Sequence, residues 1–273
     1  MFDLPVGLPS ELVPLSWLIG VWEGSGVLEY KIGEESVSRT FGHRISFSHD
    51  GLPHLNYSSY TWLEPLTSGE ADAGAASEED AAGASEASES FSADEAGRGE
   101  PGVADSAGTG AGASALEGQN VPSETDVATP APTLPPEILS DEKLPLVTET
   151  GYWRLSRNQG DGDPGPGMLP GTGERPFTSA AAVETLRNRE GGFDIEVTLV
   201  HPGGVAELYL GQVKGPRIDL ATDAVLRTAG SKPYAAATRL YGLVDNHLLW
   251  AWDIAALGQD LRTHASGRLA RVS

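Results

Sequence analysis

Phe193, Ile195, Val197 and Leu199 alternate with Asp194, Glu196 and Thr198, the period-two pattern of a strand with one buried face. His201-Pro202-Gly203-Gly204 then marks a turn, and Val205 to Val213 reads as the returning strand. Lys214-Gly215-Pro216 turns the chain into Ile218-Asp219-Leu220. Thr238 to Val244, Asp245-Asn246 and His247 to Ile254 make a further hairpin, with Leu248, Trp250, Trp252 and Ile254 on one face. The last strand runs from about Asp260 to Val272. Towards the N-terminus, Val21 to Tyr30, Thr40 to Ser48 and His54 to Leu63 are strand-like, and Tyr152 to Arg157 resumes the pattern. A turn or two around Ser10 to Ile19 is the only helical candidate. The fold class is therefore all-β, about ten short strands joined by tight turns. With no helices to cover a sheet, a closed antiparallel up-and-down β-barrel is favoured over a sandwich, and such a barrel encloses a ligand cavity.

Composition changes the picture between residues 67 and 140. This stretch is built mainly of Ala, Gly, Ser, Pro, Glu and Asp, with fifteen acidic residues, one basic residue (Arg98) and one aromatic (Phe91). It supplies −14 of the net charge of −21. A segment so poor in apolar side chains cannot offset its backbone entropy by burial and is expected to be disordered. Residues 1–66 and 141–273 then form a single barrel, with the acidic insert in place of a hairpin loop, where long insertions cost little. The loop Asn158 to Glu174, with GDGDPGPG at its centre, is also expected to be mobile.

The absence of cysteine excludes disulfides, iron–sulfur clusters and thiolate metal sites. No apolar run approaches the roughly 18 residues of a membrane helix. The first twenty residues, MFDLPVGLPSELVPLSWLIG, lack the basic start and cleavage region of a signal peptide, so a cytoplasmic location is expected. The acidic balance leaves no basic stripe to displace counterions, so nucleic acid is not an expected partner. There is no P-loop, GxSxG or HExxH motif.

The barrel pattern predicts a cavity without naming its guest. Gly20-Val21-Trp22-Glu23-Gly24-Ser25-Gly26 matches GxWxGxG, and further stretches follow in order: Phe47-Ser48-His49-Asp50-Gly51, Thr148-Glu149-Thr150-Gly151-Tyr152, His201-Pro202-Gly203-Gly204-Val205-Ala206-Glu207, and Ala255-Ala256-Leu257-Gly258-Gln259 leading to His264. This ordered set resembles the nitrobindin family, haem-carrying barrels similar to fatty-acid-binding proteins. In the first motif Trp22 shares a strand face with Gly20, Gly24 and Gly26. The glycines are expected to allow bending and leave room for a flat ligand, and the indole to close the barrel end. Where many members carry Tyr-Pro-Thr-Ile, this chain has Tyr30-Lys31-Ile32-Gly33, so the threonine that would lie near haem is absent.

The resemblance marks His264 as the axial ligand of haem iron. Taken by themselves, Arg262, His264, Ser266 and Arg268 alternate with Leu261, Thr263, Ala265 and Leu269 and read as a solvated face. A bulge, or a locally polar interior, would reconcile the two. Lys232, in Gly230-Ser231-Lys232-Pro233, stands where the family has a lysine that meets the haem, and it either pairs with a propionate or is an ordinary loop lysine. His49 and His54 flank a turn and read as exposed, His201 as a turn-capping residue, His247 as solvated, and mid-strand His43 faces either way.

What the resemblance implies is a ferric haem b protein that binds nitric oxide and isomerises peroxynitrite to nitrate, with the iron and its histidine carrying the chemistry. Trp250, Trp252 and their face-mates are expected to wall the pocket. Other readings remain: a carrier of a fatty acid or other apolar ligand without iron, and a haem or nitric oxide sensor without turnover.

Overall fold

The computed structural model describes residues 7–32, 35–63, 143–256 and 260–272. The acidic stretch 67–140 lies outside the described residues. Ten strands follow one another: β1 (Gly20–Ile32), β2 (Glu35–Ser48), β3 (Leu55–Leu63), β4 (Leu144–Leu155), β5 (Phe193–His201), β6 (Val205–Lys214), β7 (Arg217–Arg227), β8 (Tyr234–Val244), β9 (His247–Ala256) and β10 (Arg262–Arg271). Each pairs antiparallel with its sequence neighbour, and β1 pairs with β10, so the meander closes into a barrel. The β8–β9 turn shows how locally the sequence dictates this. Asp245 and Asn246 both take positive φ, 49° and 61°, the twist a two-residue hairpin needs and one these side chains tolerate.

Alternation sorts the side chains into an apolar interior and a polar exterior. In β5, Ile195, Val197 and Leu199 are buried while Asp194 and Thr198 face solvent. One barrel end is closed by a 3-10 helix, Ser10–Leu18, whose Leu12, Leu15 and Leu18 are fully buried. Trp22 lies beneath it, 0% exposed, its Nε1 donating to the Leu18 carbonyl at 2.7 Å. Burying an indole of this size is worth about 4–6 kcal/mol as an upper estimate, so Trp22 fastens the cap to the barrel floor. Above it, Phe47, Tyr57, Trp153 and Tyr241 pack ring against ring, with neighbouring centroids 5.1–5.7 Å apart.

Three features depart from the sequence reading. β4 begins at Leu144 rather than Tyr152. Its first half carries Pro145 and the consecutive exposed apolar residues Leu146 and Val147, which break the alternation. A register shift between Tyr60 and Trp62 sets Pro145 opposite Trp62, where its missing N–H is tolerated. A short helix, α1 (Ala180–Glu184), is capped by Ser179, whose Oγ accepts from Ala182 N at 3.2 Å. Finally, the 158–174 loop is anchored rather than loose. Asp163 is buried, accepts two 2.7 Å bonds from the Arg157 guanidinium, and also accepts from Gly160 N at 2.8 Å. Arg157 in turn bonds Glu11 of the 3-10 helix, tying the loop to the barrel cap.

Candidate functional site

The end of the barrel away from the cap holds a pocket. Its apolar walls come from Leu28, Phe41, Leu146, Val147, Trp250 and Trp252, and its polar groups from His43, Ser59, Thr61, Glu149, Arg239 and His264. Trp250 and Trp252 therefore stand where the hairpin pattern placed them.

His264 enters the pocket through a break in register. Thr263 pairs with Asp253 and Ala265 with Trp252, so His264 is an extra residue with no partner across β9. This β-bulge reverses the facing of every position before it. Ala265 and Leu269 point inward as the alternation predicts, and His264 does too, half-buried, while Thr263 is exposed. The imidazole stands edge-on to Trp252, with ring centroids 5.6 Å apart. Burial lowers its pKa, against a hydrogen bond to the Glu29 backbone that raises it. That bond commits one ring nitrogen as a donor, so the neutral ring keeps a lone pair on the other. A ligating histidine is held in the same way, by a second-sphere carbonyl that fixes its tautomer.

Lys232 is placed differently. It lies exposed in the loop between β7 and β8, its carbonyl accepting from Arg227 Nη1 at 3.2 Å, and it is not among the residues lining the pocket. The structure thus brings His264 to the cavity and leaves Lys232 outside its walls.

Gly24 and Gly26 do not provide space for a flat ligand. A Cβ on Gly26 would fall 2.2 Å from the Ser266 carbonyl oxygen and 2.8 Å from the Phe41 ring. These glycines instead let β10 and Phe41 approach β1 closely, which narrows the wall beside His264.

Beneath the pocket lies a charged network that the sequence reading did not assemble. Arg239, 3% exposed, donates to both carboxylate oxygens of Glu149 at 2.6 and 2.8 Å and to the Tyr209 hydroxyl at 3.0 Å. Tyr57 donates to Glu149 at 2.6 Å, while Tyr209 (2.5 Å) and Tyr234 donate to Glu207. His201 reaches Glu207 at 2.6 Å, so its ring joins this network instead of capping its turn. Burial pushes the Glu149 carboxyl up, but the facing Arg239 overrides it and brings the pKa to about 2. Glu149, His201 and Glu207 come within 4.8 Å of one another, as metal ligands would. Their carboxylates are already occupied by Arg239 and three tyrosine hydroxyls, so the grouping is an ion-pair network. The guanidinium also lies 4.6 Å from the Trp252 ring and so supports the indole that meets His264. A charged residue at an inward strand position was the available signal, for Glu149 in β4 and for Arg239 beside Tyr241 in β8.

The remaining histidines divide. His54 stands on the outer surface, edge-on to Tyr152 at 5.0 Å, and His247 is half-buried beside Arg268. His43 turns inward. It is 3% exposed, its Nε2 is 2.8 Å from Ser59 Oγ, and burial lowers its pKa to about 3.

A bulge that turns an imidazole inward, a lone pair left free and an aromatic wall make a donor set suited to haem iron. The family model described as the THAP4-like, heme-binding beta-barrel domain matches residues 11–83 and 133–271. The chain belongs to this family. Membership agrees with the nitrobindin resemblance and makes haem the family's cofactor. Relatives are similar over their whole length. One from Clavibacter michiganensis subsp. michiganensis, named peroxynitrite isomerase, is 54% identical over 272 residues, 100% of both chains. Another of that name, from Leifsonia xyli subsp. xyli, is 49% identical over 100% of both chains. A third, from Kocuria rhizophila, is 40% identical over 99% of this chain and 95% of its own. The crystal structure of Rv2717c from M. tuberculosis superposes with a TM-score of 0.50 at 19% identity, covering 99% of this chain and 100% of that one, and shares the fold.

Proposed function

We propose that the protein holds ferric haem b in the barrel pocket through His264, binds nitric oxide there, and isomerises peroxynitrite to nitrate. The observation that carries this reading is the bulge that turns His264 into an aromatic-walled cavity. The names of the full-length relatives support the reaction. Held by His264, haem would supply Lewis-acid iron chemistry for rearranging the O–O bond of peroxynitrite to nitrate.

This chain's residues supply the setting. His264 is kept neutral by burial, so its nitrogen is available at neutral pH, and the Glu29 carbonyl orients the ring. Phe41, Trp250 and Trp252 exclude water and confine the fragments. Burial pushes the phenols of Tyr57 and Tyr241 up, so both stay protonated. No side chain has to transfer a proton, because the reaction moves none.

A fatty-acid carrier would need a cation free to meet a carboxylate. Arg239, the cation among the pocket-lining residues, is already paired in both directions with Glu149. Haemin titration of the apoprotein tests the proposal: wild type should take one equivalent and develop a Soret band, and His264→Ala should lose it. Stopped-flow decay of peroxynitrite should then be faster with the haem-loaded wild type than with free haemin, with nitrate as the product. Equal rates would leave a haem protein without turnover. Lys232→Ala should weaken haem binding only a few-fold, since an exposed ion pair is worth about 1 kcal/mol or less.

A further inference from the structure

We propose that His43 is a second functional histidine of the pocket, whose Nδ1–H donates a hydrogen bond to an oxygen-bearing or anionic ligand held there. This rests on the haem reading above and adds to it a named contact for the guest.

Four observations carry it. His43 projects inward from β2 and lines the same pocket as His264. Its Nε2 is engaged by Ser59 Oγ at 2.8 Å, while its Nδ1, fully shielded from solvent, has no protein partner. An unmet buried polar atom costs about 1–3 kcal/mol, and native structures rarely keep one without use. The ring is held rigidly, 4.7 Å from Trp250 and 6.1 Å from Phe41 between centroids, so Nδ1 has a fixed direction.

Register places the two histidines at different depths. Gly24 of β1 pairs with His43, and Leu28 of β1 pairs with Ala265, the neighbour of His264. Four residues of strand separate the two levels, about 13 Å at ~3.3 Å per residue. His264 thus sits towards the open end and His43 towards the floor, and a guest meeting both must be larger than a diatomic. A macrocycle carrying a small ligand meets that requirement.

Protonation fits the role. Burial favours the neutral ring, which carries one proton. A serine hydroxyl donates or accepts equally well. With Ser59 donating to Nε2, the ring proton is on Nδ1, the nitrogen that has no protein partner. A neutral donor suits peroxynitrite and nitrate, because it stabilises negative oxygen without giving up a proton.

The test uses the haem-loaded protein and fluoride, an anion that accepts hydrogen bonds and cannot donate them. His43→Phe should keep the Soret band and haem stoichiometry while lowering fluoride affinity of the ferric form about tenfold. His43→Gln, which restores an N–H donor, should recover part of it. Wild-type affinity in His43→Phe overturns the proposal and leaves the haem reading intact. Loss of the haem reading is a separate result, seen when His264→Ala keeps a wild-type Soret band. Should His43→Phe fail to fold, ¹⁵N NMR of the wild-type ferrous carbonmonoxy form decides the matter. A protonated Nδ1 on His43 is expected, and a bare Nδ1 overturns the proposal.

Discussion

Replacing Arg239 with Met removes the guanidinium that pairs with both carboxylate oxygens of Glu149 inside the barrel. Two routes give the size of the effect. Glu149 has a pKa of about 2 in the fold against 4.5 for an ordinary glutamate, which at about 1.4 kcal/mol per unit makes its pairing worth about 3 kcal/mol. Leaving one partner of a buried ion pair uncompensated costs about 3–5 kcal/mol in general. For a folded unit of about 200 residues this lowers Tm by roughly 10–15 °C. The pH dependence gives a sharper signature. In wild type, the contribution of Glu149 is complete above about 4.5 and is lost as pH falls towards 2. In the variant, burial without Arg239 raises the carboxyl above 4.5. The penalty is then full at high pH and is relieved as Glu149 takes up a proton. The stability gap should therefore narrow as pH falls from 7.5 to 5, measured by urea unfolding of the apoprotein. Glu149→Gln together with Arg239→Met should recover at least half of the loss, since no unpaired charge remains on Glu149. A single variant that loses less than about 1 kcal/mol at pH 7.5, or a double variant no more stable than the single, would refute the reasoning.

Other expectations follow from the same interior. His43, with a pKa of about 3 in the fold against 6.5, takes up a proton more readily when unfolded, so its contribution to stability is complete above pH 6.5 and falls on acidification towards 3. His43→Phe should remove about 2 kcal/mol of the stability lost between pH 6.5 and 5 in the apoprotein, read from urea unfolding at the two values. Gly26→Ala places a methyl 2.2 Å from the Ser266 carbonyl oxygen and 2.8 Å from Phe41. It should cost about 1–3 kcal/mol and weaken haemin binding, and an unchanged Tm would refute the close-approach account. Replacing residues 68–140 by a short Gly/Ser linker should leave Tm and haem binding nearly unchanged, because the stretch carries a single aromatic. A fall of more than about 10 °C would mean that it contributes roughly 3 kcal/mol or more to the barrel.

Much of the barrel was legible because strand alternation is a local signal. The β5 pattern and the Asp245-Asn246 turn each follow from neighbouring residues alone. What escaped was decided elsewhere in the chain. Glu149 and Arg239 meet across 90 positions, and nothing near either one announces the other. Arg157 and Glu11 meet across 146, so a glycine-rich loop that looks free is pinned by a residue from the cap. Pro145 disguised the start of β4 because its cost is absorbed by a shift in register on the neighbouring strand. His264 failed the alternation test for a related reason. Counting by twos gives the facing of a side chain only while the register is unbroken, and the break lies between Thr263 and Ala265. Family resemblance identified the residue, and the bulge supplies the physical cause.

That bulge makes a cofactor site depend on arithmetic as much as on chemistry. Removing Thr263, so that His264 took its place opposite Asp253, would restore an unbroken ladder and leave the hydrogen-bonded barrel in place. The inward set of β10 would still run through Leu269, Gly267 and Ala265, but the imidazole would no longer be among it. The fold would persist as an ordinary lined container. In the other direction, one residue inserted before a histidine-bearing strand end can turn an inert barrel into one that offers iron a nitrogen. A length change of one residue, with the histidine itself retained, is enough to move this architecture between the two states.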